Sequence, residues 1–208
     1  MAAPRTTTTA TDGKPSKCPT TQHPSSRFVE SCGRILFHLS TSQICLIRRL
    51  TSQSNSNKTT DQEDEYLLPK GRRNIHESRH SCAIREAYEE TGYTAKLLPI
   101  DLLSRATDPG FDRKEENGGE EEKDEARLWR RVEETFMLTT RQLPDAEGVK
   151  LIWQFVGRID ESVEKGRGEE GFCAEVFGFE EAVGKVTFQE DREVLLEAVR
   201  LVRGTYGL

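Results

Sequence analysis

The stretch from Gly71 to Tyr93, GRRNIHESRHSCAIREAYEETGY, constrains the fold and chemistry of this chain more than any other part of it. Three glutamates in it, Glu86, Glu89 and Glu90, are spaced i, i+3 and i+4, so a helix would place their carboxylates on one face. Like charges at this spacing destabilise an isolated helix by about 0.2–0.5 kcal/mol per pair. A divalent cation would turn that repulsion into ligation, and oxygen ligands suit Mg²⁺ or Mn²⁺. The sequence therefore predicts a helix that carries a metal site.

The glycines and charged residues of this stretch follow a known spacing. The pattern G-x5-E-x7-R-E-U-x-E-E-x-G-U, where U is a bulky apolar residue, is met at every glycine and charged position: Gly71, Glu77, Arg85, Glu86, Glu89, Glu90 and Gly92. On these residues the chain resembles the Nudix hydrolases. Ala87 and Tyr93 fill the U positions, and we expect altered packing there rather than lost chemistry. The alternative, a solvated glutamate-rich helix face, would need a chance match rarer than about one in a million.

The resemblance, which covers about residues 28–205, implies an α+β fold, the Nudix α/β/α sandwich, with a mixed sheet and a loop-helix-loop Nudix box (residues 71–93). It implies a Mg²⁺- or Mn²⁺-dependent enzyme that hydrolyses a phosphoanhydride bond. Glu86 and Glu90 would hold the metal together with the Gly71 carbonyl. Glu89 would share the ligation or remove a proton from the attacking water.

The resemblance also implies a supporting role for the remaining charged pair of the box. Glu77 and Arg85 would form a salt bridge that orients the site rather than take part in the reaction. The alternative for Glu77 is a helix N-cap or a charge in the first helical turn, favoured there by the helix macrodipole.

The residues before the box add positive charge next to the glutamates. Lys70 stands in the run Leu-Pro-Lys-Gly, and Arg48 and Arg49 end a predicted strand. We predict that these three side chains contact substrate phosphates, the alternative for each being a solvated surface charge. The Leu-Pro-Lys-Gly run resembles that of the diphosphoinositol polyphosphate and diadenosine polyphosphate hydrolases. It implies an inositol pyrophosphate or a dinucleoside polyphosphate as the substrate.

Other functions stay open at this point. Pro109 stands near the place where ADP-ribose pyrophosphatases carry a proline, although Asp-Pro-Gly is equally a turn, so an ADP-ribose or nucleotide-sugar pyrophosphatase is one alternative. A Nudix-fold regulator that binds a ligand without turnover is another, and a lost box glutamate would have favoured it. Enzymes acting on capped RNA need a basic surface, which a net charge of −6 does not favour. We expect a small-molecule polyphosphate as the partner and no nucleic acid; the oligomeric state is left open.

Composition divides the chain of 208 residues, of which 34% are hydrophobic and 32% charged. Residues 1–27 hold many threonines and prolines and almost no large apolar side chain, which predicts a disordered tail. Residues 28–208 form the predicted Nudix hydrolase domain, interrupted by a disordered acidic insertion at 108–127. The sequence has no apolar run of membrane-spanning length. We therefore expect a cytoplasmic protein, with the nucleus as a second compartment.

Hydrophobic periodicity predicts the remaining elements. The box helix should begin near Glu77 or Ser78 and end at Gly92, with Ile84, Ala87 and Tyr88 facing the core. An amphipathic helix is predicted over residues 191–202. Strands are predicted over residues 31–39, 43–49, 66–68, 97–103, 130–139, 150–159 and 172–179.

Overall fold

The computed structural model describes residues 18–50, 64–108, 125–144 and 148–208. The predicted disordered tail as far as residue 17, and the predicted acidic insertion from residue 109 to 124, lie outside the described residues. Both therefore stay predictions. Among the described helices, none has the length and apolar character of a membrane span.

In the described chain four strands precede the first α-helix, six strands follow it, and two further α-helices come last. The strands are β1 Phe28–His38, β2 Gln43–Arg49, β3 Glu65–Leu67, β4 Lys70–Arg72, β5 Ala95–Leu97, β6 Ile100–Ser104, β7 Arg127–Val132, β8 Met137–Gln142, β9 Val149–Ile159 and β10 Phe172–Gly178. The α-helices are α1 Arg79–Thr91, α2 Phe179–Lys185 and α3 Gln189–Tyr206.

Most strands join one large sheet whose central order is β10-β2-β1-β9-β5. Strand β3 pairs with β2, β4 with β1 and β8 with β9, while β6 and β7 form a separate two-stranded sheet. Strands β1 and β9 run parallel from Phe28 beside Val149 to Phe37 beside Arg158. Every other described pairing is antiparallel. The predicted mixed sheet is therefore confirmed.

The two faces of β1 show how helices cover the sheet. Alternate residues of a strand point to opposite faces. Ile35 and Phe37 belong to a core cluster with residues of α2 and α3, including Leu195. Cys32 packs instead with Cys82 and Ala83 of α1 in a second cluster on the other face. The sheet lies between α1 on one side and α2 with α3 on the other, as the predicted α/β/α sandwich requires.

Two of the predicted strands are each divided in the structure. The segment 97–103 changes partners at Pro99: β5 pairs with β9, and β6 pairs with β7 in the other sheet. A proline has no amide hydrogen for a ladder, which favours a break at this point. The segment 130–139 divides in the same way, because β7 ends at Val132 and β8 begins on β9 at Met137.

The predicted core face of α1 is partly wrong. Ala87 is buried, whereas Ile84 and Tyr88 are 43% and 48% exposed. The buried stripe runs through Ala83, Ala87 and Thr91, which are four residues apart and therefore aligned on one face. These side chains are small, so the helix approaches the sheet closely, and the larger Ile84 and Tyr88 lie outside the contact.

Candidate active site

The helix that carries the glutamates is limited at both ends by local signals. Ser78 is the N-cap, since its side chain accepts a hydrogen bond from the Ser81 amide at 3.0 Å. Gly92 ends the helix in the left-handed conformation with φ of 73°, and its amide donates to the Tyr88 carbonyl. A side chain at Gly92 would also bring Cβ within 2.3 Å of the Gly166 carbonyl oxygen. The predicted limits of the box helix are confirmed.

Strand β4 is the surface against which two of the glutamates lie. A Cβ atom at Gly71 would stand 1.7 Å from Glu86 Oε2, so the Glu86 carboxylate occupies the space that only glycine leaves open. The backbone amide of Lys70 donates to Glu90 Oε2 at 2.7 Å. Strand β4 thus receives both carboxylates while its other edge pairs with β1.

Arg85 connects the other carboxylates of the box. Its Nε and Nη2 donate to the two oxygens of Glu77 at 2.8 and 2.9 Å, a bidentate pair. Its Nη1 donates to Glu86 Oε1 at 2.7 Å and to Glu89 Oε2 at 2.8 Å. One guanidinium group therefore binds three carboxylates and fixes their relative positions.

Burial separates the glutamates into two electrostatic kinds. Desolvation raises the pKa of Glu90 to about 7 and also raises the pKa of Glu86. The hydrogen bonds from Arg85 lower the pKa of Glu77 to about 2. Glu77 is thus a stable anion that Arg85 already neutralises. Ionising Glu86 or Glu90 costs energy because both are partly buried, and a cation beside them would lower that cost.

The donors around Glu86 and Glu90 suit a hard divalent cation. They are carboxylate oxygens beside the backbone of Gly71, the chemistry that Mg²⁺ prefers. Within the described residues, however, no three acidic, histidine or cysteine side chains converge into a preformed metal site. Arg85 stands among Glu77, Glu86 and Glu89 and forms an ion pair with each of them.

The predicted substrate cations lie in three different environments. Lys70 Nζ is 3.7 Å from Asp191 Oδ2 on α3, while its amide bonds Glu90. Arg48 Nε donates to Glu175 Oε1 at 2.7 Å, and Arg49 Nη1 donates to Glu65 Oε2 at 2.7 Å.

The structure therefore brings Lys70 next to the box glutamates, because its backbone amide donates to Glu90. No hydrogen bond or ion pair of the described residues joins Arg48 or Arg49 to them. Their contact with substrate phosphates stays a prediction.

The sequence interpretation missed two cations that approach the site from distant parts of the chain. Lys150 on β9 pairs in register with Arg141 on β8. Burial lowers the pKa of Lys150, and so do the positive charges of Lys70, Arg141 and Arg72 nearby. The only sequence signal is that each cation stands in a predicted strand or beside one. Which face it occupies depends on strand pairing, which the sequence does not show.

The fold is an α/β/α sandwich, and in its candidate active site a helix places clustered glutamates against a strand that contains a glycine. The sequence matches the family model of the NUDIX domain over residues 34–153, more than half of the chain. The chain belongs to the NUDIX domain family and is a hydrolase acting on pyrophosphate bonds. Members of this family generally use divalent metal ions such as Mg²⁺.

Solved structures support the fold. The chain is similar to a NUDIX hydrolase from Nitrosomonas europaea, with a TM-score of 0.50 and 12% identity, covering 85% of this chain and 90% of that one. It is also similar to the E. coli ORF135 protein, with a TM-score of 0.51 and 14% identity, covering 86% and 94%. At these identities the likeness is one of fold. No curated protein matches the sequence significantly.

Proposed function

We propose that this Nudix hydrolase cleaves a phosphoanhydride bond of an inositol pyrophosphate or a dinucleoside polyphosphate. The observation that supports metal-dependent cleavage is the position of Glu86 and Glu90. Both have a raised pKa, both lie against β4, and Glu90 accepts a hydrogen bond from the Lys70 amide of that strand. The choice of substrate rests on the resemblance of the Leu-Pro-Lys-Gly run. A metal-bound phosphate chain would lie beside that edge, where the ammonium group of Lys70 adds a positive charge.

Glu86, Glu90 and the Gly71 carbonyl would hold Mg²⁺ or Mn²⁺. When bound, the ion supplies neutralisation of phosphate oxygens and acidifies its bound water. Glu89, the more exposed glutamate, would share the ligation or accept a proton from the attacking water. Its hydrogen bond in the structure is to Arg85, so its carboxylate is already directed toward Glu86.

Glu77 and Arg85 would act as positioning residues. Two hydrogen bonds that Arg85 donates to Glu77 fix the plane of the guanidinium group, which leaves Nη1 directed at Glu86 and Glu89. The Arg72 carbonyl accepts a further bond from Nη2 at 3.1 Å, which ties the same group to β4. The pair therefore links the strand and the helix on which the donors lie.

Substrate phosphates would be contacted by Lys70, Arg48 and Arg49. These side chains differ in the strength of the contacts that they would have to give up. The Lys70 ammonium group is 3.7 Å from Asp191 and donates to the Leu68 carbonyl at 3.3 Å, and both contacts are longer than the ion pairs of the two arginines. Arg48 and Arg49 would have to exchange ion pairs of 2.7 Å with Glu175 and Glu65. We therefore expect Lys70→Ala to raise the KM for a polyphosphate more than Arg48→Ala or Arg49→Ala does.

A phosphate-release assay with Mg²⁺ or Mn²⁺ tests the proposed function. The substrates are inositol pyrophosphates, dinucleoside polyphosphates, ADP-ribose and capped RNA, with EDTA as the metal-free control. We expect the highest kcat/KM for one of the first two classes and no turnover in EDTA. Preference for ADP-ribose would identify an ADP-ribose pyrophosphatase instead. Binding without turnover of any substrate would identify a regulator.

A further inference from the structure

Three cations beside the proposed site form no salt bridge with a carboxylate of the described residues. In the part of the chain that the structure describes, the side chains of Arg72, Arg141 and Lys150 form no hydrogen bond and no ion pair. The box arginine Arg85, by contrast, binds three carboxylates. Unpaired cations near one another repel, and the repulsion is greater where a side chain is partly desolvated, as Lys150 is.

Strand register places Arg72 on the same face of the sheet as Lys70. Lys70 pairs with Gly33 and Arg72 pairs with Ser31. A Cβ atom at Gly33 would lie 3.0 Å from Lys70 Cβ and 2.3 Å from Gln154 Oε1, so these two side chains flank Gly33 on the same face. Arg72 is two residues from Lys70, and alternate residues of a strand share a face.

The same register places the other two cations on that face. Lys150 is four residues before Gln154 on β9 and points the same way. Arg141 lies directly opposite Lys150 on β8. The cationic face, formed by Lys70, Arg72, Arg141 and Lys150, crosses β4, β1, β9 and β8. At the usual strand spacing it is about 14 Å wide.

Buried polar atoms on the same face also lack partners. Ser31 Oγ and Gln154 Oε1 form no hydrogen bond, although Ser31 is fully buried and Gln154 is 1% exposed. Such orphaned atoms are uncommon in folded proteins. Ser31 pairs with Arg72, and Gln154 pairs with Gly33 beside Lys70.

The cationic face begins at the edge where the glutamates lie. The Lys70 amide bonds Glu90, while the Lys70 side chain belongs to the cationic face. Lys70 and Arg72 flank Gly71 on β4, so their side chains point to the face opposite the one that receives Glu86. A substrate whose reacting diphosphate lies at the strand edge beside Glu90 can therefore extend its other phosphates over that opposite face, across β1, toward Lys150 and Arg141.

We propose that the cationic face binds the phosphate groups that are not cleaved, with Arg141 and Lys150 as specificity-determining residues. The inference rests on the proposed function, because it concerns the same substrate. The cationic face favours substrates that carry several phosphates beyond the reacting diphosphate over diphosphate diesters such as ADP-ribose. Charge-assisted contacts to these phosphates supply affinity and depend strongly on salt.

The test measures binding without turnover, by calorimetric titration in EDTA. The probes are inositol hexakisphosphate and diadenosine pentaphosphate, which distinguish an inositol ring from a dinucleoside as the carrier of the phosphates. We expect Arg141→Gln and Lys150→Gln each to weaken binding of the preferred probe by about tenfold, and the double variant by about a hundredfold. The salt dependence of binding should fall with each lost charge.

Arg158→Gln is the matched control, because Arg158 is a cation on the same strand, β9, and its side chain is exposed. It lies eight residues from Lys150, about 26 Å along the strand. We expect Arg158→Gln to bind both probes as the wild type does. The inference is overturned if the double variant binds both probes within about threefold of the wild type, or if Arg158→Gln weakens binding equally.

Kinetics separate this inference from the proposed function. Where ADP-ribose is turned over, the double variant should change its KM by less than about threefold, which also shows that the variant is folded. Probe binding that depends on Arg141 and Lys150, with no turnover of any diphosphate, would refute hydrolysis and keep the cationic face. Turnover with no such dependence would refute the cationic face alone.

Discussion

Replacing Glu90 by Gln should stabilise the metal-free protein. Burial raises the pKa of Glu90 from 4.5 to about 7, so its ionised form costs about 3 kcal/mol near pH 8. Glutamine has the same shape, carries no charge and still offers an oxygen to the Lys70 amide. We expect Glu90→Gln to raise the free energy of unfolding by about 1–3 kcal/mol in EDTA near pH 8.

The pH dependence of this gain has a definite sign. Because the folded-state pKa of Glu90 is the raised one, the wild type has its full stability from this group below pH 4.5 and loses it as pH rises through about 7. The difference between Glu90→Gln and the wild type should therefore fall below about 1 kcal/mol near pH 5.

Urea unfolding followed by tryptophan fluorescence measures the stability difference between Glu90→Gln and the wild type at each pH. Added Mg²⁺ should stabilise the wild type more than the variant. A variant that is no more stable than the wild type near pH 8 in EDTA, or a gain that is equally large near pH 5, would refute the reasoning.

Other substitutions test the contacts around Glu86. Gly71→Ala should displace the Glu86 carboxylate and lower turnover by about a hundredfold with little loss of stability, whereas Gly184→Ala, where a Cβ meets nothing within 4 Å, should leave turnover unchanged. Normal turnover in Gly71→Ala would show that Glu86 is not needed at this position. Arg85→Ala should lower the free energy of unfolding in urea by about 2–4 kcal/mol, because it leaves Glu77 without its partner. Arg85→Lys should retain only part of this stability, since lysine lacks the planar guanidinium group that donates two parallel hydrogen bonds to Glu77. A loss below about 1 kcal/mol in Arg85→Ala would contradict this role.

Local signals made the box helix predictable from the sequence. Ser78 caps the helix with its own side chain, and Gly92 ends it with a backbone conformation that favours glycine. Cys32 and Cys45 lie in apolar runs, and both are fully buried. These features depend on residues close together in the sequence.

Features that depend on pairing between distant segments were not predictable in the same way. The separation of β7 from β8 follows from their pairing with different sheets. Lys150 and Arg141 lie on the same face as Lys70 because β9 pairs with β1 and β8 in a particular register. A shift of one residue would turn their side chains to the opposite face.

The ion pair of Arg48 with Glu175 was not predictable from the sequence either, because it joins distant segments of the chain. Its carboxylate partner, Glu175, comes from β10, more than a hundred residues further along the chain. Charge alone suggested a substrate contact, and it could not show that the structure already neutralises the side chain.

The central claim is that the box glutamates cleave a phosphoanhydride bond, and the turnover of Glu90→Gln tests it most directly. The measurement is kcat in saturating Mg²⁺ on the best substrate of the panel, beside Glu181→Gln, an exposed glutamate of α2, as the matched control. We expect Glu90→Gln to lose at least about a hundredfold in kcat while remaining folded, and Glu181→Gln to match the wild type. Activity of Glu90→Gln within about tenfold of the wild type would contradict the claim.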